Sequence, residues 1–218
     1  MDEGLLDFGT CLDLAKRIHG NSCARLAVGT RMAIAGLKAI GIKDPRGRDS
    51  SNIMAFVEID RCVSDAVMAV TGCRPGKRTL RIVDYGKVAA TFLNLETGKA
   101  MRLSVKGGTG EDSWGAPSRV CRSDMRIKPY MGLPDRQLFH MEEVCVTLRP
   151  QDMPGNLLWV ALCERCGEFV MDMRDVHKNG RALCRPCAKG ASYYRVAKGR
   201  AAEGMMPRLE ASDYPVSP

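Results

Sequence analysis

No stretch of this 218-residue chain approaches the ~20 consecutive apolar residues of a membrane-spanning helix. The best candidate, 23–41, is broken by Arg31 and Lys38. The first residues, MDEGLLDFG, are acidic and lack the basic start and long apolar stretch of a secretory signal. A cytoplasmic protein without a membrane partner is therefore expected. There is no internal repeat and no basic tail. Residues 1–156 hold 23 Lys and Arg against 18 Asp and Glu, so the formal net charge of +8 is not gathered into one segment.

What is present fits a globular chain. Apolar residues make up 45% and charged residues 27%, which argues against wholesale disorder. The length suits one large domain, or one domain plus a small module. Ten cysteines stand out. In a reducing compartment they favour metal binding or catalysis over a disulfide framework.

The pattern along the chain reads α-α-β-α-β-β-β. Leu12, Ala15, Ile18 and His19 fall at helical spacing over 10–20. A second helix is expected over 24–40, ended by Gly41, and it is rich in small residues (Ala27, Gly29, Ala33, Ala35, Gly36, Ala39). That composition predicts a very close neighbour. IMAFVEI (53–59) reads as a buried strand, 63–71 as a short helix stopped by Gly72, and 79–85 and 88–94 as strands around a bulge at Gly86. A turn at 95–99 leads to a strand over 100–106. Residues 107–118 are glycine-rich and polar and read as a loop or lid. A short helix over 133–139 and a strand over 141–149 follow. The expected class is α+β: a mainly antiparallel sheet with packed helices, plus a small C-terminal four-cysteine module. The expected divisions are a core domain (1–155), the module (156–190) and a polar tail (191–218).

The strongest motif is Cys163-Glu164-Arg165-Cys166, then 17 residues, then Cys184-Arg185-Pro186-Cys187. Two CxxC pairs at this separation mark a structural zinc site, one ion per chain, held by Cys163, Cys166, Cys184 and Cys187. A two-residue gap lets both thiolates of a knuckle face one ion. Gly167 stands where a knuckle needs positive φ. Between the pairs, FVMDMR and RAL are expected to form a hairpin around Lys178-Asn179-Gly180. Four ligands close the site, so the zinc supplies folding energy rather than catalysis. Glu164, Glu168, Asp172 and Asp175 argue against direct nucleic-acid binding.

A second constellation lies near the N-terminus, at His19-Gly20-Asn21-Ser22-Cys23. His19 and Cys23 are four apart across a glycine turn, and Cys23 begins the next helix, where the dipole favours a thiolate. The pair suits a metal half-site or a nucleophile with its base, and equally a buried thiol beside a capping imidazole. Asp60 follows a strand, as a site residue or a helix cap; Cys62 and Cys73 also read as small core residues. Lys87 stands beside the expected bulge. The cluster Arg74, Lys77, Arg78 and Arg81 contains no acid and reads as a solvated hairpin edge or as a phosphate or oxyanion site.

Taken together, several segments resemble the FmdE family, named for one of the subunits of formylmethanofuran dehydrogenase. They are the His-Gly-x-x-Cys turn (19–23), AVGTRMA (27–33), DRC-x2-DA-x4-TGC (60–73), DYGKVAATF (84–92), TGKA (97–100), LPDRQLF (133–139) and the CxxCGE…CRPC finger (163–187). The finger also resembles that of the DksA/TraR transcription factors. The resemblance implies an α+β core with a C-terminal zinc finger, a homodimer, and an interface pocket lined by the His and Cys of a Gly-His-x-Cys-Pro-Gly motif. Here that His is replaced by Asn21, although His19 precedes it, and the Pro-Gly is Ala24-Arg25. Losing an imidazole and gaining a guanidinium weakens a cation site, and Arg25 favours a small anion instead. The pocket is thus expected to hold a second metal or an anion. The apparatus of the family's namesake catalytic subunits is missing: there is no ferredoxin-type cysteine run and no molybdopterin-sized domain.

Three functions remain open from the sequence. One is a zinc-containing accessory or binding protein, its pocket formed by His19, Asn21, Cys23, Arg25, Asp60, Cys62 and Lys87, serving a redox metalloenzyme, of molybdenum or tungsten or another metal, or its metal supply. Another is an enzyme with Cys23 as nucleophile and His19 or Asp60 as base. The third is a regulator acting through the finger.

Overall fold

The computed structural model describes residues 6–107, 132–155 and 158–194. The chain divides into two compact units, 1–156 and 157–218.

The first unit begins with α1 (Phe8–His19). Asp7 caps it by accepting from the Thr10 amide at 2.9 Å, and Gly20 ends it at φ 84°, a left-handed position that glycine adopts without a Cβ clash. The chain turns directly into α2 (Ala24–Ala39). Strand β1 (Ile53–Val57) then leads through α3 (Cys62–Thr71) to β2 (Leu80–Ile82), which lies parallel to β1. The antiparallel strands β3 (Ala89–Asn94), β4 (Ala100–Val105) and β5 (Phe139–Glu143) complete a five-stranded sheet in the order β2-β1-β3-β4-β5. A one-turn helix, α4 (Asp135–Leu138), precedes β5. The mainly antiparallel sheet is as expected, with one parallel pair at its β2 edge.

Strand alternation sorts the sheet's two faces. Ile53, Ala55 and Val57 of β1, with Ala90 and Phe92 of β3, pack into the main core with α2 and α3. Met54 and Leu93 face the other way, against Ala100 and the half-buried Val144, Val146 and Leu148. The strand expected over 141–149 therefore needs correction. The ladder runs 139–143, and the 144–148 segment keeps its alternating burial without pairing to β4 beyond the Val144 amide bond to the Ala100 carbonyl.

The small residues of α2 are used inside the chain. A Cβ on Gly29 would come within 2.8 Å of Ala66 Cβ, and one on Gly36 would overlap the Phe92 ring. The close neighbours predicted by this helix are α3 and β3. Its composition is thereby explained within one protomer and gives no reason to expect a partner chain.

The second unit holds two ribbons, β6 (Val160–Leu162) with β7 (Phe169–Met171), and β8 (Val176–Lys178) with β9 (Arg181–Leu183), followed by α5 (Arg185–Lys189). The expected hairpin is half right. RAL pairs with 176–178 across the Asn179-Gly180 turn, but FVM pairs with β6 across the first knuckle. Asp172 and Met173, at φ 57° and 55°, turn the chain out after Met171 and so divide the two ribbons. The glycine-rich segment from 108 and the tail from 195 lie outside the described residues.

Candidate metal centres

Three helix ends converge in the first unit. His19 is the last residue of α1, Cys23 is the N-cap of α2, and Cys62 is the first residue of α3. One donor atom from each of the three lies within 4.8 Å of the others. The glycine turn at 20 makes this local approach, and the α1–α2–α3 packing brings Cys62 from thirty-nine residues away. Leu12, Ala15, Leu26, Ala27, Ala66 and Ala69 pack beside Cys23 in a small apolar cluster.

The electrostatics favour a thiolate, at Cys62. The Cys23 thiol donates to it, His19 and Arg25 stand beside it, and the first amide of α3 points at it; against desolvation, these bring its pKa from 9.0 to about 5. Cys23 is 6% exposed, and its Sγ accepts from the Leu26 amide at 3.3 Å. Cys73, in contrast, is a core thiol: burial pushes its pKa up, and its Sγ lies 3.6 Å from the Ile53 carbonyl oxygen.

Sequence reasoning missed Asp65. Its Oδ2 lies 2.7 Å from Nδ1 of His19, from the first turn of α3. With Nδ1–H donated to this carboxylate, Nε2 is left with its lone pair for a ligand. The carboxylate–imidazole–metal relay is a common support for a ligating histidine. The signal was present in the DRC-x2-DA segment, three residues after Cys62, but nothing in the sequence tied it to residue 19.

The other expected pocket residues are more dispersed. Arg25 is half-buried, and its charge reaches Cys62. Asn21 is exposed on the α1–α2 turn. Asp60 is exposed and is not among the three clustered donors. Lys87 lines a different concavity, of about 560 Å³, with Arg102, Ser104 and Lys106. A half-buried ion pair stands nearby: Arg102 grips the buried Glu58 with two bonds, at 2.7 and 2.8 Å.

In the second unit, Cys163, Cys166, Cys184 and Cys187 bring their sulfurs within 4.8 Å of one another. Gly167 has φ 75°, and its amide reaches the Cys163 carbonyl at 2.8 Å, closing the first knuckle. Backbone amides of Cys184, Cys166 and Arg165 lower the Cys163 thiol to about 6, whereas the crowd of sulfurs, Cys184 foremost, pushes Cys187 up to about 12. Four thiolates this close repel one another unless a cation joins them. An all-sulfur set of four fits zinc.

A family model described as "FmdE, Molybdenum formylmethanofuran dehydrogenase operon" matches residues 18–128. The chain belongs to the FmdE family. A second model, the prokaryotic dksA/traR C4-type zinc finger, matches residues 158–193. FmdE-family membership thus covers the helix-end cluster, and the finger model covers all four clustered sulfurs. The FmdE-like chain is also 34% identical over 206 residues to a protein of Archaeoglobus fulgidus named "Probable S-adenosyl-L-methionine-binding protein"; the match takes in 84% of this chain and 53% of that protein, so the chain spans about half the length of this relative. The crystal structure of a "tungsten formylmethanofuran dehydrogenase subunit e (fmde)-like protein" from Syntrophus aciditrophicus has the same fold, with a TM-score of 0.55 at 18% identity, over 86% of this chain and 95% of that one. Among the described residues, no helix is long and apolar enough to cross a membrane.

Proposed function

We propose that this FmdE-family chain is a metal-binding accessory protein. The helix-end site takes a soft transition-metal ion through His19, Cys23 and Cys62, and the finger holds a structural zinc. The observation that carries this reading is the approach of the three donors within 4.8 Å, with Asp65 on the far nitrogen of His19. One imidazole and two thiolates suit zinc, copper(I) or nickel rather than magnesium or calcium. Three protein donors leave a coordination position for an exchangeable ligand, which suits an ion that must be handed on. The family description, tied to a molybdenum formylmethanofuran dehydrogenase operon, supports a redox metalloenzyme as the destination. The homodimer implied by the family resemblance belongs to the proposal and is read from molar mass in solution.

Cobalt(II) titration tests the site. In chelator-treated Cys163→Ser/Cys184→Ser protein, whose finger keeps one thiol from each knuckle, a thiolate-to-cobalt charge-transfer band is expected and is lost when Cys62→Ser is added. No band in the finger variant overturns the reading.

The name of the Archaeoglobus relative favours a second reading, an S-adenosylmethionine site. Calorimetric titration with S-adenosylmethionine separates the two. Saturable binding that survives Cys62→Ser establishes the second reading apart from the metal.

A further inference from the structure

The basic cluster at 74–81 divides by role. Arg78 donates to the Gln151 carbonyl. Arg81 donates to Oδ1 of Asp152 at 3.1 Å and to its carbonyl at 2.5 Å. These two cations hold the 150–152 turn in place. Arg74 and Lys77 are exposed and have no ion-pair partner among the described residues. With Arg46 they line a concavity of about 580 Å³ in the first unit, whose wall also includes Ser50, Ser51 and Thr79.

Among the described residues, no Asp or Glu lines this concavity. The acids of the neighbouring loop are turned onto its own amides. Asp49 Oδ2 accepts from the amides of Lys43 and Asp44, both at 2.9 Å, and Asp44 accepts from those of Gly47 and Arg48 at 2.9 and 3.0 Å. The negative end of α3 also points here, ending at Gly72, but Arg46 donates to the Ala69 carbonyl at 2.6 Å and offsets it. Arg46 keeps further donors for a ligand. The segment that presents Arg74 and Lys77 is rigid. Pro75 opens its short 3₁₀ turn, the Arg78 amide reaches the Pro75 carbonyl at 2.9 Å, and the Arg74 amide is bonded to the Thr79 hydroxyl at 3.0 Å. Little ordering is needed when a ligand arrives.

We propose that this concavity binds a small phosphorylated anion. Three cations, two of them forked guanidiniums, with two serines beside them and no acid among the described residues of the wall, match the charge and donor needs of a phosphate group. The volume lies in the range of small-molecule sites and exceeds a bare phosphate, so it leaves room for more of the ligand beside the phosphate. This site shares no residue with the helix-end cluster, and the proposal stands or falls independently of metal binding.

The test is calorimetric titration of the full chain with inorganic pyrophosphate. Arg74→Gln/Lys77→Gln is the test pair, and Lys16→Gln/Lys99→Gln is a control with the same change in net charge. Both test residues are exposed, so the fold is retained. Saturable binding is expected, weakened at least about tenfold in the test pair and unchanged in the control. Absence of binding at low salt, or equal weakening in both pairs, overturns the proposal. Tighter binding of a DNA duplex than of pyrophosphate at the same residues also overturns it, by assigning the surface to nucleic acid.

Discussion

Oδ2 of Asp65 stands 2.7 Å from Nδ1 of His19, joining the first turn of α3 to the last residue of α1 across 46 positions of sequence. This contact fixes which face of the imidazole ring is free. It also ties together the two helices that bring His19 and Cys62 within reach of Cys23.

If His19 is a ligand, its carboxylate partner tunes it. Asp65→Asn is expected to lower metal affinity at this site by about 10–100-fold while leaving the finger's zinc in place. Competition with a chromophoric chelator measures this. Unchanged affinity would assign Asp65 to helix docking alone.

Alkylation distinguishes the two thiols. Cys62 is half-buried and ionises at about 5, whereas Cys23 is 6% exposed. In metal-free protein, iodoacetamide at pH 6 is expected to modify Cys62 well before Cys23, read by peptide mass spectrometry. Preferential modification of Cys23 would contradict the geometry of the pair.

The same ionisation affects stability. The folded Cys62 thiol titrates at about 5 and an ordinary thiol near 9.0, so folding releases a proton between these values. The contribution is complete above pH ~9 and is lost as the pH falls through about 5. Denaturant melts of metal-free protein should therefore gain stability with rising pH across this window, and Cys62→Ser should flatten the gain. Parallel profiles for the two proteins would show that Cys62 is not ionised in the native state.

The tightest approach to a glycine in the core lies between Gly36 and Phe92. Gly36→Ala would drive a Cβ into the ring, and overpacking of this kind costs about 1–3 kcal/mol. A fall in thermal midpoint is expected, with partial recovery in Gly36→Ala/Phe92→Leu. A midpoint equal to or above wild type would mean that the ring moves aside freely.

Much of this fold was legible because its punctuation is local. Gly20, Gly41 and Gly72 all adopt the left-handed φ that ends or follows a helix, and the short, largely apolar runs at 53–57 and 89–94 mark buried strands. The CxxC pairs predicted the sulfur cluster for the same reason: each knuckle is set by two intervening residues and a turn. Pairing was less legible. Alternation over 144–148 reported burial and could not report whether a ladder partner exists. FVM and RAL were joined because a turn stood between them, yet two positive-φ residues, Asp172 and Met173, send them to different partners. The i, i+4 spacing of His19 and Cys23 is enough to pair them, and the structure brings their donor atoms together. No such spacing points to Asp65, because helix packing alone brings it to His19. A place beside a bulge does not tell where Lys87 ends up: it precedes β3 and lines another concavity, with Arg102 and Ser104 of β4.

The central claim is that the chain binds two metal ions at separate sites. It is tested most directly by metal content per chain in protein purified without added metal and then loaded with one metal at a time. Wild type is expected to hold two ions, Cys62→Ser to keep only the finger's ion, and Cys163→Ser/Cys184→Ser to keep only the other. A single ion in wild type, lost in Cys163→Ser/Cys184→Ser and untouched in Cys62→Ser, would contradict a metal centre at His19, Cys23 and Cys62.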